Sequence, residues 1–330
     1  VADDNPEIIE AVRRGVPVLR RTSSLAVLTA GRRVVAVAGT HGKTTTSSML
    51  TLILIAAGID PGFLVGAAIT GLGVAARNGS GEWFVLEADE SDGSFLAAAR
   101  AVAIVTNIEA DHLEHHGSLA GLVASFERFV DTTDGPVVVC ADDPGSAALA
   151  QGREGVVTYG ERAEATYRLV EVRSDRTGVR WVVRRTGYDD LPLEVAAPGR
   201  HHALNATAAA AAALEMGVSA TAVQEGLARY RGVARRFEHR GVAAGVTFID
   251  DYAHLPTEVA AAVAAAIAGG WSRVVGVFQP HRYSRTEQLW RDFSDSFEGL
   301  NRLVLTGIYP AGEPPRRGVD GGLLVGAVLD

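Results

Sequence analysis

The sequence predicts an α/β protein: a P-loop-type parallel-sheet ATPase domain with a small antiparallel β insertion, followed by a partial Rossmann-like α/β C-terminal domain. Three observations predict it. A short apolar run at 34–38 leads into the glycine loop Gly39-Thr-His-Gly42-Lys43-Thr44 and then into a helical pattern. Further apolar runs at 83–86, 102–105 and 137–140 lie a helix-length apart, the spacing of parallel strands covered on both faces. The same rhythm restarts after an Arg-Arg-Phe joint at 235–237.

Each element has its own local reason. The helix after the glycine loop should run from Thr44 to about Ala57 and stop at Gly58. Its apolar part, 49–59, is one buried helix, well short of the ~18 apolar residues a membrane span requires. The run 137–140 ends in the single cysteine, Cys140, expected as a buried strand thiol. A lone cysteine has no intrachain disulfide, which fits a reducing cytosol. Runs at 167–172 and 179–183, flanking 174–178, predict an antiparallel hairpin. An alanine-rich helix follows over 203–216, closed by Gly217, and Thr221 with Gln224 offers a capping box for a helix to about Tyr230. Residues 232–237 read as a domain edge. Beyond it come a strand at 246–249, a helix at 256–268 opened by Pro256, a strand at 273–278, a helix at 286–300, a strand at 302–309 and a closing helix at 323–330. The pairs Arg13-Arg14, Arg20-Arg21 and Arg32-Arg33 are expected on solvated faces.

Composition narrows the function. The 330 residues carry a net charge of −8, 47% hydrophobic residues and 21% charged ones, a globular balance without the basic face of a general nucleic-acid binder. Of 31 basic residues all but one are arginine. Any chemistry that needs a lysine must therefore use Lys43.

Lys43 sits in the strongest motif. A phosphate-binding loop needs glycines that turn backbone N–H groups inward, a helix N-terminus that favours anions, a lysine for the terminal phosphates and a hydroxyl for magnesium. Residues 39–46, Gly-Thr-His-Gly-Lys-Thr-Thr-Thr, supply all four, in a loop shorter than the general form. Two acidic clusters follow strands: Glu87-Ala-Asp-Glu-Ser-Asp92, and Thr106-Asn-Ile-Glu-Ala-Asp111-His112. Both fall on the sheet edge that holds the phosphate loop, where open α/β sheets bind ligands. Either can supply the hard oxygen ligands of a magnesium nucleotide, and composition does not choose among the carboxylates. His112, beside Asp111, is a candidate metal-site residue. His115 and His116 fall on the loop beyond it, and His239 reads as a structural hydrogen-bonder.

These segments, together with Gly199-Arg-His-His-Ala-Leu-Asn205, Arg235-Arg-Phe237, Asp250-Asp-Tyr-Ala-His254 and Gln279-Pro-His-Arg-Tyr-Ser-Arg-Thr286, occur in an order that resembles the Mur ligases over nearly the whole chain. The acidic Glu87–Asp92 segment and the Pro-His-Arg-Tyr-Ser-Arg-Thr segment are similar to the alanine-adding branch. The resemblance implies an ATP- and Mg2+-dependent amide ligase of peptidoglycan precursor synthesis, with UDP-N-acetylmuramate and L-alanine as substrates. It implies that Gly39, Thr40, His41, Gly42, Lys43, Thr44 and Thr45 hold the phosphates, with Lys43 on the β- and γ-phosphates and Thr44 on a first magnesium ion. Glu87 would bridge two metals and His112 would hold the second. Asn205 would reach the adenine, Arg236 a phosphate, and Asp251 and His254 would approach the nucleotide. His281, Arg282 and Arg285 would grip the amino-acid carboxylate or the sugar, work suited to arginine forks. Relatives that use a second, carbamylated lysine find no counterpart here. Alternatives within reach are a murein tripeptide ligase, another Mur-type ligase, or an ATP-binding module without catalysis.

The same resemblance sets expectations for organisation. Residues 1–31 read as the tail of a truncated N-terminal UDP-binding domain, 32–234 as the central ATP-binding domain, and 235–330 as a partial C-terminal domain. Such a fragment is expected to bind Mg-ATP and to ligate poorly. Three positions depart from the family pattern: His202 stands where asparagine is frequent, Leu255 replaces a second histidine, and Glu114 stands where aspartate is common.

Overall fold

A computed structural model describes residues 4–19 and 21–329. The segment ahead of the sheet forms two helices, α1 (Pro6–Arg13), capped by Asn5, and α2 (Arg21–Thr29). Arg13 and Arg14 share Glu10 on an exposed face. Arg20 lies outside the described residues; Arg21 is exposed as expected, its guanidinium 2.9 Å from Asp89. Arg32, by contrast, is half-buried, donating to the carbonyls of Gly79 and Gly81.

The central domain follows as β1 (Arg33–Ala38), α3 (Lys43–Ala56), β2 (Gly62–Leu64), β3 (Ala76–Arg77), β4 (Trp83–Glu87), β5 (Val102–Val105), α4 (Leu113–His116), α5 (Leu119–Asp131), β6 (Val137–Cys140), α6 (Pro144–Ala148) and β7 (Val156–Gly160). It is completed by β8 (Tyr167–Asp175), β9 (Gly178–Arg184), β10 (Leu191–Val195), α7 (Arg200–Glu215) and α8 (Ala220–Ala228). All ten strands form one sheet in the order β10-β9-β8-β7-β6-β5-β1-β4-β2-β3. From β2 to β8 the neighbours run parallel; β8, β9 and β10 are antiparallel. The hairpin read from the sequence is thus the edge of the main sheet. It is longer than expected, with Asp175 pairing directly with Gly178.

The continuous apolar run of β1 reflects burial on both faces. Val35 and Val37 point towards α3, α7 and α8, whereas Val34, Ala36 and Ala38 point towards Phe126 and Phe129 of α5, as the two-residue period of a strand requires. Small residues set the helix spacing. Ala208 to Ala213 of α7 are buried, and Gly226 brings α8 so close that a Cβ there would stand 2.4 Å from Cα of Ile53. The expected cap at Thr221 is displaced: Ser219, in extended conformation, accepts from the N–H of Ala222, and Gln224 donates to the carbonyl of Pro192 instead.

The C-terminal domain contains β11 (Glu238–Ala243), β12 (Val246–Asp250), α9 (Pro256–Ala268), β13 (Val275–Phe278), α10 (Tyr283–Leu289), β14 (Arg302–Leu305) and α11 (Gly322–Leu329). The expected strand at 246–249 pairs antiparallel with β11, whose polar sequence carried no strand signal, and His239 is exposed on that hairpin. β13 begins two residues later than expected and pairs parallel with β14. β14 ends at Leu305; the chain then runs on parallel to the segment after β13, so that Tyr309 bonds to Pro280 and Arg282. The helix expected at 286–300 instead starts at Tyr283 and tightens into a 3-10 turn at Trp290–Phe293. Phe293 and Phe297 pack at tilted angles against Phe278 in this domain's own core. The closing helix was expected to reach Asp330, which lies outside the described residues. Among the described residues no helix is long and apolar enough to cross a membrane.

Candidate functional site

The glycine loop joins β1 to α3 under tight steric control. Gly39 has φ +131°, and a Cβ there would stand 2.0 Å from Oγ1 of Thr106. Gly42, at φ +81°, passes beneath Asn205, whose Oδ1 would meet a Cβ at 2.6 Å. No side chain caps α3, so its first N–H groups and helix dipole are presented to a ligand, the arrangement that suits phosphate.

The segment after β5 braces this loop. The His41 N–H donates to Oδ1 of Asn107 at 2.9 Å, and the Asn107 amide donates to Nδ1 of the imidazole at 2.9 Å. An amide nitrogen can only donate, so the ring proton lies on Nε2, which donates to Glu109 at 2.8 Å. The second oxygen of Glu109 accepts from Thr257 of α9 at 2.7 Å. The phosphate loop and the C-terminal domain are therefore joined through one carboxylate. Burial pushes the Glu109 carboxyl up, but the bonds from His41 and Thr257 hold it below its usual range.

Lys43 is half-buried, its side chain 13% exposed, and its ammonium donates to the carbonyls of Gly39 and Thr40 and to both oxygens of Glu90, at 3.0 and 2.9 Å. Burial works to lower this ammonium's pKa; the charge and bonds of Glu90 outweigh it and hold it raised. Next to it, the Thr44 hydroxyl donates to Oε1 of Glu87 at 3.0 Å, and the other oxygen of Glu87 accepts from the N–H of Gly66. Thr44 and Glu87 thus present the hard oxygens that a magnesium ion takes. Among the described residues no three His, Cys, Asp or Glu side chains are gathered as a ready metal cluster, and His112 lies 3.4 Å from Asp111. That fits an ion which keeps several waters and takes phosphate oxygens, needing one or two carboxylates from the protein.

The residues drawn from the sequence separate into two groups. His41, Gly42, Thr44, Thr45, Asn205, Arg236 and Asp251 line a cavity of about 290 Å³ between the two domains. Asp251 also accepts from the N–H groups of Phe237 and Ala253, which shapes the domain edge. Arg236 pairs with Glu258 at 3.2 Å. His254, expected near the nucleotide, stands with Tyr252 and His281 outside this cavity's wall, its Nδ1 bonded to the carbonyl of Tyr252. It belongs to the second group, centred on Asp111. Arg285, only 7% exposed, bonds both oxygens of Asp111 at 3.1 Å and also contacts Nδ1 of His281. Burial and Arg285 push the His281 imidazole down to about 4. Arg282, at φ +73°, heads α10, and its N–H donates to Tyr309.

His202, one of the departures, is buried; its Nδ1 donates to the carbonyl of Pro198, and burial pushes its imidazole down to about 4. Leu255 is buried at the head of α9, where Glu258 reaches back to the N–H groups of His254 and Leu255. The side chain of Glu114 lies outside the described part. His115 stands against Gly93, and His116 Nε2 donates to the carbonyl of Glu90, so both brace the loop that carries the Lys43 partner.

Sequence reasoning missed Glu90, Glu109, Thr257 and Glu258. A half-buried lysine needs an anion, which could have singled out a carboxylate from Glu87–Asp92. Glu258, third in a helix opened by Pro256, carried a capping signal.

A strand, a glycine loop and a bare helix N-terminus facing a second α/β domain across a shared cavity define a phosphate-loop α/β protein. The sequence matches the Mur ligase middle domain over residues 37–213 and the Mur ligase glutamate ligase domain over 235–327. The chain belongs to the Mur ligase family. It is 47% identical over 329 residues to a UDP-N-acetylmuramate–L-alanine ligase of Arthrobacter sp. strain FB24, covering 97% of this chain and 69% of that protein. It is 50% identical to the ligase of the same name from Kineococcus radiotolerans, over 98% of this chain and 70% of that one. Among solved structures, UDP-N-acetylmuramate-alanine ligase MurC from Thermotoga maritima superposes with a TM-score of 0.82 at 30% identity, over 100% of this chain and 72% of that one.

Proposed function

We propose that this chain carries the ATP-dependent step joining L-alanine to the carboxylate of UDP-N-acetylmuramate in peptidoglycan precursor synthesis. The observation that carries the reading is the pairing of a bare phosphate-type helix terminus, with its one lysine, with an arginine cluster across the domain cleft. A carboxylate is a poor electrophile and must be activated. Its oxygen attacks the γ-phosphorus of ATP and ADP leaves; the alanine amine, having lost a proton, attacks the acyl carbon, and the tetrahedral intermediate collapses by expelling phosphate. Here the protein's contribution is positioning and charge neutralisation.

In this reading Gly39 to Thr45 orient the phosphates, with Lys43 on the β- and γ-groups. Thr44 and Glu87 would hold a magnesium ion, which when bound would neutralise charge on the phosphate oxygens, and His112 would join a second such site. Asn205, which lies over Gly42, reaches the adenine, Arg236 contacts a phosphate and Asp251 approaches the nucleotide from the cavity wall, while His254 stands outside that wall. His281, Arg282 and Arg285 receive the amino-acid carboxylate or the sugar, Arg285 exchanging Asp111 for the substrate anion.

The test is release of ADP and phosphate from ATP by the protein that bears this chain. Turnover should require UDP-N-acetylmuramate and L-alanine together. Turnover that follows UDP-N-acetylmuramate plus a tripeptide but ignores L-alanine would overturn the assignment.

A further inference from the structure

We propose that Glu90 is a positioning residue for Lys43, holding its ammonium where a terminal phosphate would otherwise bind, so that nucleotide binding exchanges one anion for another. The proposal rests on the nucleotide reading of the cavity given above. An ammonium has three protons. In the resting protein they face the Gly39 carbonyl at 2.6 Å, the Thr40 carbonyl at 3.1 Å and the two oxygens of Glu90, so none is left for a phosphate.

Glu90 is not a mobile surface carboxylate. It is 1% exposed, and its loop is tied to other elements at two points. Asp89 before it bonds Arg21 at 2.9 Å and the N–H of Ser91 at 3.0 Å, while the carbonyl of Glu90 accepts from His116 at 2.9 Å. The carboxylate therefore cannot follow the lysine towards an incoming phosphate. When Lys43 turns away, a buried anion remains beside further negative charge. Such a group is costly, and its cost lowers nucleotide affinity. On the return path the same carboxylate recaptures Lys43, which favours departure of the product nucleotide.

Calorimetric titration with MgADP tests this without turnover. Glu90→Gln keeps the shape and removes the charge, and it should bind MgADP on the order of tenfold more tightly than the parent. Glu90→Asp retains the charge and should stay close to the parent. Unchanged or weaker binding by a folded Glu90→Gln protein overturns the proposal while leaving the nucleotide reading intact. If even the parent fails to bind MgADP, both fall. A second measurement needs no variant. Lys43 is the only lysine of this chain, so 15N-lysine labelling of these 330 residues gives a single side-chain ammonium resonance. Saturating MgADP should move it from its resting position; a resonance that stays in place shows that Lys43 keeps Glu90, and overturns the exchange.

Discussion

Replacing Asp111 by asparagine should loosen the contact between the central and C-terminal domains. Asp111 and Arg285 are joined through two oxygens at 3.1 Å, with side chains only 11% and 8% exposed, so solvent screening discounts their interaction little. Asparagine keeps the outline and one acceptor oxygen but leaves the guanidinium without its anion. Removing one partner of a buried pair costs about 3–5 kcal/mol, and the retained acceptor places this change near 3. The protein can avoid most of that by letting Arg285 reach water, which requires the domains to part. A bias of about 3 kcal/mol shifts a closed-to-open equilibrium by roughly a hundredfold. Other links among the described residues, Thr257 to Glu109 and Arg176 to the carbonyls of Gly269 and Gly270 and to the ring of Trp271, are neutral at one end and weaker. Small-angle scattering should therefore report a larger radius of gyration without ligand, and calorimetry should resolve two unfolding steps with the central domain's midpoint unmoved. Scattering and a single transition identical to the parent's would refute the reasoning.

Three further outcomes are expected. Lys43→Arg should abolish ATP turnover, because a planar guanidinium cannot take the place of a compact ammonium on the β- and γ-phosphates at the head of α3; near-parental turnover would remove Lys43 from its role. Gly226→Ala would set a Cβ 2.4 Å from Cα of Ile53, forcing α8 away from α3 and destabilising by about 1–3 kcal/mol despite alanine's better helix propensity; an unchanged thermal midpoint would contradict the contact. His202 stays neutral in the fold to about pH 4, whereas the unfolded chain binds a proton near 6.5, so the native state loses on the order of 2–3 kcal/mol as pH falls across that window. His202→Asn should flatten that loss, which denaturant titrations at pH 7 and 4.5 would reveal.

How far the sequence led depended on the kind of signal. β5, β6 and α9 were legible to the residue, because apolar runs and a proline-opened helix are local features. β11 was illegible: Glu-His-Arg-Gly-Val-Ala has no alternation, and the strand exists through its partner β12. The 3-10 turn at Trp290–Phe293 was hidden for a related reason, since three aromatic rings in the domain core decide where the helix gives way. In the site, Lys43, Thr44 and Glu87 were named from motif and resemblance together, and their mutual distances came only with the fold. Glu109 was unread because its meaning depends on Thr257, 148 residues away. His254 carried a motif but no indication of which wall of the cleft it would join.

Cys140 has a practical consequence. It ends β6 against the cavity, 5% exposed, and burial raises its thiol pKa, so little thiolate forms at neutral pH. The wild-type chain is thus nearly silent towards thiol reagents. Cysteines introduced singly on α5 and α10 would accept fluorophores or spin labels without background, and the separation between the two domains could be followed in solution with every native residue of the cleft left in place.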